Sequence, residues 1–320
     1  MEFMAEKVVI IGSGLMGRGI GEAFAIGGHQ VKLVDVSDDI ITQAMSGIRK
    51  SLDYLSKEGL LDEQPAKILA RISGSTDRRK AVSDAALVVE AVFENADLKK
   101  DVFREIDAAA PKDAILASNT SSIPITLLAT VTKHPERVVG THFWNPPQLM
   151  QAVEVVKGEK TSEETIRKTV KILRGIGKKP AVARKDVPGQ IGIRVLYAMI
   201  REATWLVENG VASAEDVDTI VRETIGSRLQ VLGPLELADL SGVDLVNTIS
   251  KGLYKSLDAS QGPQKLIQDM VARGEVGVKS GKGFYDWKGG ARSPEAAMKA
   301  RDEHLIKLQK EKKTKKKAKT

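Results

Sequence analysis

Residues 8–35 read VVIIGSGLMGRGIGEAFAIGGHQVKLVD, and this stretch decides the fold. Four β-branched residues run directly into Gly12, Gly14 and Gly17, which have the G-x-G-x-x-G spacing of a dinucleotide-binding turn. The first glycine permits a tight turn, the second lets a pyrophosphate approach the backbone, and the third lets the next helix pack against the strand. The helix N-terminus adds a dipole that favours the phosphate charge. The stretch therefore predicts a Rossmann-type β-α-β unit that binds a dinucleotide.

An acidic residue ends the same unit. Asp35 follows the second predicted strand, eighteen residues after Gly17. A carboxylate at this place accepts hydrogen bonds from the adenosine ribose and repels a 2′-phosphate. We therefore expect NAD, and not NADP, as the cofactor. Glycines that only shape a turn, beside an aspartate that only ends a strand, are the alternative interpretation.

The rest of the first half continues the alternation of short β-branched runs and amphipathic stretches that is typical of a parallel sheet flanked by helices. Predicted strands are 8–12, 31–36, 72–75, 87–92, 115–118, 138–144, 152–156 and 181–184. Predicted helices between them are 15–26, 38–57, 98–109, 124–131 and 162–175.

A break at Asp186, Pro188 and Gly189 ends this alternation, and the remainder reads as helices, one of them capped by Ser213. Predicted helices after the break are 191–208, 214–224, 236–240, 245–257 and 263–272. We predict the fold class α/β. A Rossmann-type dinucleotide-binding domain spans 1–186, an all-helical C-terminal domain spans 187–303, and a lysine-rich disordered tail spans 304–320.

The composition excludes several classes of chemistry. The 320 residues contain no cysteine, so disulfides, thiolate metal sites, iron–sulfur clusters and cysteine nucleophiles are excluded. The longest apolar run, 85–93, is far shorter than the roughly 18 residues that cross a bilayer, and the N-terminus has no signal pattern. We expect a soluble, cytoplasmic protein that binds no metal and no membrane.

The positive charge is confined to the C-terminal end. Residues 307–319 contain eight lysines and one glutamate, which equals the whole net charge of +7, so the rest of the chain is neutral. A neutral body gives no footprint for nucleic acid, which we therefore do not expect as a partner. The lysine run itself is either a solvated end or a contact for an anionic surface such as RNA or a membrane.

Acid–base chemistry at neutral pH has few candidates among the four histidines. His142 lies near the end of a predicted strand, where an α/β sheet binds its ligands. If 139–144 and 152–156 pair as a hairpin centred on Gln148, His142 lies opposite Glu154. A carboxylate on one imidazole nitrogen raises the basicity of the other, which suits a base that takes a proton from an alcohol. A structural histidine and a local ion pair are the alternatives, and a register slip of one residue would separate the two side chains.

Two further polar features lie nearby. The cluster 118–122, SNTSS, ends the fifth strand, where its hydroxyls either reach a substrate or cap the next helix. Asn145 either orients a carbonyl or shapes the turn before two prolines. A hydrolase triad is not indicated, because the chain has no G-x-S-x-G turn. Hydride transfer to NAD fits these residues better.

Seven motifs, from Lys7 to about Trp287, resemble the L-3-hydroxyacyl-CoA dehydrogenase family, which includes 3-hydroxybutyryl-CoA dehydrogenases. The motifs are GSGLMGRGI, VVEAVFENADLKK, ASNTSSIPIT, THFWNPPQLMQAVEVV, KDVPGQIGIR, LGPLELADLSGVD and VKSGKGFYDW, in the order of the family. The resemblance implies NAD-dependent interconversion of a 3-hydroxyacyl-CoA and a 3-ketoacyl-CoA. It also implies a homodimer formed through the helical domain.

The resemblance also assigns roles to residues. It implies His142 as the acid–base catalyst, with Glu154 orienting it. Ser121 and Asn145 would lie between the substrate oxygen and the nicotinamide. The residues expected to line the NAD site, besides Ser121 and Asn145, are Gly12, Gly14, Leu15, Met16, Gly17, Asp35, Glu94 and Lys99. Ser51 and Lys57 match the helical segment where the family contacts CoA.

One segment departs from the family pattern. Where the family typically reads P-G-F-x-x-N-R, this chain has PGQIGIR, with Gln190 in place of the aromatic residue and Ile193 in place of the asparagine near the substrate. A site that loses a hydrogen-bonding partner loses discrimination. Three alternatives stay open for the substrate and activity: a 3-hydroxyacyl-CoA, a CoA-free hydroxy acid or other polar secondary alcohol as in gulonate and carnitine dehydrogenases, or NAD binding without turnover.

Overall fold

The computed structural model describes residues 6–288 and 292–317. Residues 1–5, 289–291 and 318–320, which belong to the predicted first domain, helical domain and tail, lie outside the described residues. The chain forms two compact units. The first is Met1–Ile193 together with Ala300–Thr320, and the second is Arg194–Lys299.

One sheet forms the centre of the first unit. Its strands are β1 (Lys7–Ile11), β2 (Gln30–Val34), β3 (Ile72–Ser75), β4 (Leu87–Glu90), β5 (Ile115–Ser118), β6 (Val138–Phe143), β7 (Ala152–Val156) and β8 (Lys179–Ala183). The strand order is β3-β2-β1-β4-β5-β6-β7-β8. Every neighbouring pair is parallel except β6 and β7, which are antiparallel. The order reverses between β1 and β4, and ligands bind at such a switch point, beyond the carboxyl ends of the strands.

Helices cover both faces of this sheet. They are α1 (Leu15–Ile26), α2 (Asp38–Lys57), α3 (Pro65–Leu69), α4 (Arg78–Val82), α5 (Ala96–Ala109), α6 (Ile125–Ala129) and α7 (Glu163–Gly175), with a 3₁₀ turn at Pro135–Arg137. The strands are apolar without alternation because both of their faces are buried: Val8 and Ile10 enter one apolar layer, and Val9 and Ile11 enter the other. The predicted α/β class with a helical C-terminal part is confirmed.

The second unit is helical. Its elements are most of α8 (Gly192–Glu208), then α9 (Ala214–Ile220), a π-helical turn at Val221–Gly226, α10 (Ser227–Leu229), α11 (Pro234–Ser241), α12 (Val243–Leu253), α13 (Lys265–Ala272) and the start of α14 (Pro294–Lys317). The predicted cap is present, since the Ser213 hydroxyl accepts a hydrogen bond from the amide of Asp216 at 3.1 Å.

The division of the chain differs from the prediction in two respects. Residues 187–193 stay with the first unit because their polar groups bond there; the Gln190 amide, for example, donates to the carbonyl of Thr120 at 3.1 Å. The second difference concerns the predicted disordered tail, whose described residues are helical in the structure. Helix α14 continues to Lys317, and its residue Ile306 is buried against Leu55 of α2 and against Leu149. Burial of this apolar side chain offsets the repulsion among the lysines.

Candidate active site

The glycine turn between β1 and α1 has the geometry that a dinucleotide needs. Gly12 has a φ of +95°, and a Cβ atom there would lie 2.7 Å from the carbonyl oxygen of Ala91. A Cβ atom at Gly17 would lie 1.7 Å from the carbonyl oxygen of Gly12, so the helix can pack this closely only without a side chain. Nothing lies within 4 Å of a Cβ built on Gly14. The backbone at Gly14 is therefore open to a ligand.

Asp35 lies beside this turn. Its Oδ2 accepts a hydrogen bond from the amide of Ser13 at 2.6 Å, and its Oδ1 accepts one from the amide of Val36 at 2.8 Å. Leu15 begins α1 and is exposed, whereas Met16 is partly buried against the core. An open glycine backbone, a helix N-terminus and a carboxylate held at the end of β2 fit NAD.

His142 and Glu154 face each other across the antiparallel pair β6–β7. The two residues are direct partners in the register, as predicted from the hairpin, and His142 Nδ1 lies 2.7 Å from Glu154 Oε2. Both side chains are buried. Among the described residues, none hydrogen-bonds Nε2 of His142, and the ring of Trp144 lies 5.2 Å away between centroids. The pair thus presents one imidazole nitrogen that is free to exchange a proton.

The other carboxylate oxygen of Glu154 meets the start of α8. Its Oε1 accepts hydrogen bonds from the amides of Ile191 and Gly192, each at 2.8 Å. Burial raises the pKa of Glu154, but the hydrogen bond with His142 and the two amide bonds outweigh burial, so the pKa lies below its ordinary value. Glu154 is therefore an anion at neutral pH, and both of its oxygens are held in place.

The serine-rich loop after β5 is organised by Glu94. Its Oε1 accepts hydrogen bonds from the Thr120 hydroxyl at 2.5 Å, the Ser121 amide at 3.1 Å and the Ser122 hydroxyl at 2.8 Å. Burial raises the pKa of Glu94, but these bonds and the charge of Lys99 lower it to about 2. The carboxylate thus fixes the backbone of Ser121 at the end of the sheet.

Lys99 forms an ion pair with Glu94. Its side chain is 1% exposed, with the ammonium 2.6 Å from Glu90 Oε1 and 3.3 Å from Glu94 Oε2. That Lys99 lines the NAD site stays a prediction; in the structure its ammonium lies between the carboxylates of Glu90 and Glu94. Glu90 also accepts a hydrogen bond from the Ser118 hydroxyl at 2.6 Å. The sequence interpretation missed Glu90, although a carboxylate that ends an apolar strand was the signal for it.

Comparison with known proteins decides the family. Residues 7–187 match the 3-hydroxyacyl-CoA dehydrogenase NAD binding domain, and residues 189–287 match the 3-hydroxyacyl-CoA dehydrogenase C-terminal domain. The chain belongs to the 3-hydroxyacyl-CoA dehydrogenase family. It is an NAD-dependent dehydrogenase that acts on CH–OH groups.

The relatives differ in the substrates that their names give. A 5-formyl-3-hydroxy-2-methylpyridine 4-carboxylate 5-dehydrogenase from Mesorhizobium japonicum is 39% identical over 282 residues, which cover 88% of this chain and 91% of that protein. A probable 3-hydroxybutyryl-CoA dehydrogenase from Deinococcus radiodurans is 40% identical over 88% of this chain and all of that protein. A crystal structure of a 5-formyl-3-hydroxy-2-methylpyridine 4-carboxylic acid 5-dehydrogenase, described as an NAD⁺ dependent dismutase, has a TM-score of 0.87 at 37% identity and covers 95% of this chain and 97% of that one.

The residues expected to contact the substrate occupy several places in this dehydrogenase. The Ser51 hydroxyl is already engaged, because it donates to Glu22 Oε1 at 2.7 Å. Lys57 is exposed at the last residue of α2, and Asn145 is exposed just after β6. Ile193 is partly exposed in the first turn of α8. Asn145 and Ser51 line one small cavity, and Lys57 does not.

Two negative findings apply to the described part of the dehydrogenase. Within residues 6–288 and 292–317, no three histidine or acidic side chains are grouped so that they could hold a metal ion. No helix there is both long and apolar enough to span a membrane.

Proposed function

We propose that this dehydrogenase interconverts a 3-hydroxyacyl-CoA and the corresponding 3-ketoacyl-CoA, with His142 as the acid–base catalyst. The observation that carries the proposal is the buried contact of 2.7 Å between His142 Nδ1 and Glu154 Oε2, which leaves Nε2 available. The family membership supports the reaction class, and several relatives are named for acyl-CoA substrates.

The residues would act as follows. In the direction of oxidation, Nε2 of His142 takes the proton of the substrate hydroxyl. The carbon that carries this hydroxyl loses a hydride and becomes a carbonyl carbon. Bound NAD⁺ supplies the hydride acceptor. Glu154 stabilises the imidazolium that forms, as a carboxylate does beside a catalytic histidine. Ser121 and Asn145 bind the substrate oxygen. In the direction of reduction, His142 returns the proton.

NADH consumption tests this proposal. Acetoacetyl-CoA, acetoacetate and dehydrocarnitine are assayed separately at equal concentrations. The purified protein should reduce acetoacetyl-CoA rapidly. The variant His142→Gln should lower kcat by about 10²- to 10⁴-fold, the usual contribution of an acid–base group, with the Kd for NADH unchanged. The matched control is His134→Gln, because His134 is partly exposed in a loop and pairs only with Glu136 among the described residues. An unchanged kcat in His142→Gln would refute the assignment.

A second candidate function has its own support. A CoA-free hydroxy acid is favoured by the engagement of Ser51 with Glu22, because the hydroxyl expected at CoA is already donating. Helix α14 also lies over the end of α2, where Lys310 pairs with Glu58 at 2.6 Å, one residue after Lys57. Activity on acetoacetate or dehydrocarnitine without activity on acetoacetyl-CoA would select this function. Tight NADH binding without turnover of any of the three would indicate a catalytically silent protein.

A further inference from the structure

A small polar cavity lies within the first unit, and residues 145–148, which follow the strand of His142, form part of its wall. It has a volume of about 80 Å³ and is bounded by α1, α2 and the segment after β6. Its polar lining residues are Arg18, Glu22, Ser51, Asn145 and Gln148. Asn145 is three residues after His142 in the chain. The volume holds several water molecules, so it also holds a small functional group of a substrate.

Arg18 brings an uncompensated charge to this cavity. In the part of the chain that the structure describes, its guanidinium makes no hydrogen bond or salt bridge, although the side chain is half-buried. Gly47 of α2 provides the space for it, because a Cβ atom at Gly47 would lie 2.7 Å from Nη1 of Arg18. A guanidinium binds a carboxylate with two parallel hydrogen bonds, which a point charge cannot do.

Glu22 does not neutralise Arg18. Its side chain is 2% exposed, and burial raises its pKa to about 8 in spite of the hydrogen bond from Ser51 and the nearby charges of Arg18 and Lys178. At neutral pH this carboxyl group is mostly protonated. Lys178 is also buried, and its ammonium donates to the carbonyls of Pro147 and Met150 at 2.6 and 2.8 Å. The net charge around the cavity is therefore positive at neutral pH.

We propose that this cavity binds a carboxylate group of the substrate and that Arg18 is the residue that binds it. This inference rests on the proposed function and deepens it, because it restricts the substrate to a hydroxy or oxo compound that carries a carboxylate. The carboxylate belongs either to a free acid or to the far end of an acyl chain on CoA. Gln148 lines the same cavity, and its side-chain amide has a second N–H besides the one that it donates to the Ser51 hydroxyl at 3.4 Å.

Matched substrate pairs test the proposal. Acetoacetate is compared with its neutral methyl ester, and 3-oxoadipyl-CoA, which ends in a carboxylate, is compared with acetoacetyl-CoA. The pair that the wild type turns over is the one used. For its carboxylated member, Arg18→Gln should raise KM by about 10- to 100-fold, the effect of losing a charged hydrogen bond. KM for the neutral member and the Kd for NADH should change by less than about twofold, and Arg18→Lys should restore part of the loss.

A second variant separates binding from folding. Gly47→Ala places a methyl group 2.7 Å from Nη1 of Arg18, so that the guanidinium has to shift, and at the same time it favours the helix. It should raise KM for the carboxylated substrate without lowering Tm. The control is Gly252→Ala in α12, since nothing lies within 4 Å of a Cβ built there. That variant should leave KM unchanged.

The outcomes distinguish this inference from the proposed function. Calorimetric titration of acetoacetate and of 3-oxoadipyl-CoA into the NADH-loaded protein gives a readout that does not require turnover, and Arg18→Gln should bind the carboxylated ligand at least about tenfold more weakly. Equal losses for neutral and carboxylated ligands, or a parallel loss of NADH affinity, would overturn the role of Arg18. So would a wild-type protein that prefers the neutral member of each pair. A wild-type protein that binds the carboxylated ligands through Arg18 but turns over none of the substrates would refute the proposed function and leave the role of Arg18 intact.

Discussion

Glu154 is the residue on which two parts of the site depend. One of its oxygens holds His142 and the other accepts the amides of Ile191 and Gly192 at the start of α8. A single carboxylate thereby fixes the imidazole ring of His142 and the segment that carries Ile193. Because both oxygens are engaged, we expect substitution of this residue to affect both the proposed proton transfer and the local geometry, and measurements at several pH values separate the two effects.

Glu154→Gln should lower kcat by about 10²-fold or more, because an amide does not stabilise an imidazolium as a carboxylate does. Loss of the anion disfavours the protonated ring, so the pH of half-maximal oxidation rate should shift to a lower value. Kinetics over a range of pH measure both effects. A purely structural role would lower kcat by the same factor at every pH, and that result would contradict the assignment.

Glu22 should make stability depend on pH. Its pKa is about 8 in the folded protein against an ordinary 4.5, so the folded state keeps a proton that the unfolded chain releases between these values. This contribution is complete below the ordinary pKa and is lost as the pH rises through the folded one. The Tm of the wild type should therefore fall between about pH 5 and pH 8 more steeply than that of Glu22→Gln. Lys178 faces Glu22, but its own pKa of about 8 against 10.5 acts above this window.

The matched control for Glu22 is Glu159→Gln, since Glu159 is exposed. This variant should follow the pH dependence of the wild type. Differential scanning fluorimetry at several pH values provides the measurement. Parallel curves for the wild type and Glu22→Gln would show that Glu22 is ionised in the folded protein, and the positive balance of the cavity would then be wrong.

At the scale of elements, the C-terminal part of helix α14 packs against the first unit, of which it is a part. Ile306 is 3% exposed and packs with Leu55 and Leu149, and the Gln309 amide donates to the carbonyl of Leu149 at 2.7 Å. Leu149 is next to Gln148, which lines the carboxylate cavity proposed above. The helix thus supports one wall of that cavity from outside.

Ile306→Ala should release this helix. Truncation of a buried isoleucine to alanine lowers the stability of its packing by about 2–5 kcal/mol. Because few apolar contacts hold α14 in place, the helix should then detach. Limited trypsin digestion should cut the lysine-rich segment about tenfold faster or more than in the wild type. Leu308→Ala is the control, because Leu308 is only partly buried and is absent from the cluster around Ile306. Equal digestion rates for all three proteins would refute the docking of α14.

Sequence patterns predicted most elements because their causes are local. Continuous β-branched runs identified the strands, and the turn centred on Gln148 identified the register between His142 and Glu154, which is confirmed. The five-residue helices α3 and α4 were not predicted, because they are too short for a hydrophobic period to show. The part of α14 from residue 304 onward was predicted as disorder because lysines dominate its composition.

The cavity could not be predicted, because no local pattern marks it. In the sequence, Arg18 only follows a glycine motif, and Gly47 only interrupts a helical pattern. Their contact depends on the packing of α1 against α2, and the wall at Gln148 comes from a segment about a hundred residues later. Likewise, the ion pairs of Lys99 with Glu90 and Glu94 depend on the packing of α5 against the sheet, and the spacing of these residues in the sequence does not show them.

At the scale of the whole molecule, the helical unit bears on assembly. Large apolar residues of α11 and α12 are exposed, with side chains from 47% to 80% accessible; they are Leu235, Leu240, Val243, Leu245, Ile249 and Leu253. Leu245, Ile249 and Leu253 recur every four residues, so they lie on one face of α12. An apolar face of this kind marks an interaction surface.

We predict that two copies associate through this face. Light scattering should give twice the chain mass of 34.6 kDa for the wild type, and Ile249→Lys should give the single chain mass, because an ammonium buried against Leu245 and Leu253 of a second copy has no partner. Lys251→Glu is the control, since residue 251 lies on the opposite side of α12 and should leave the dimer intact. A dimer that survives Ile249→Lys would move the interface to another surface of the helical unit, and a monomeric wild type would refute the association itself. A monomeric variant with an unchanged kcat would also show that the His142–Glu154 pair acts within one chain.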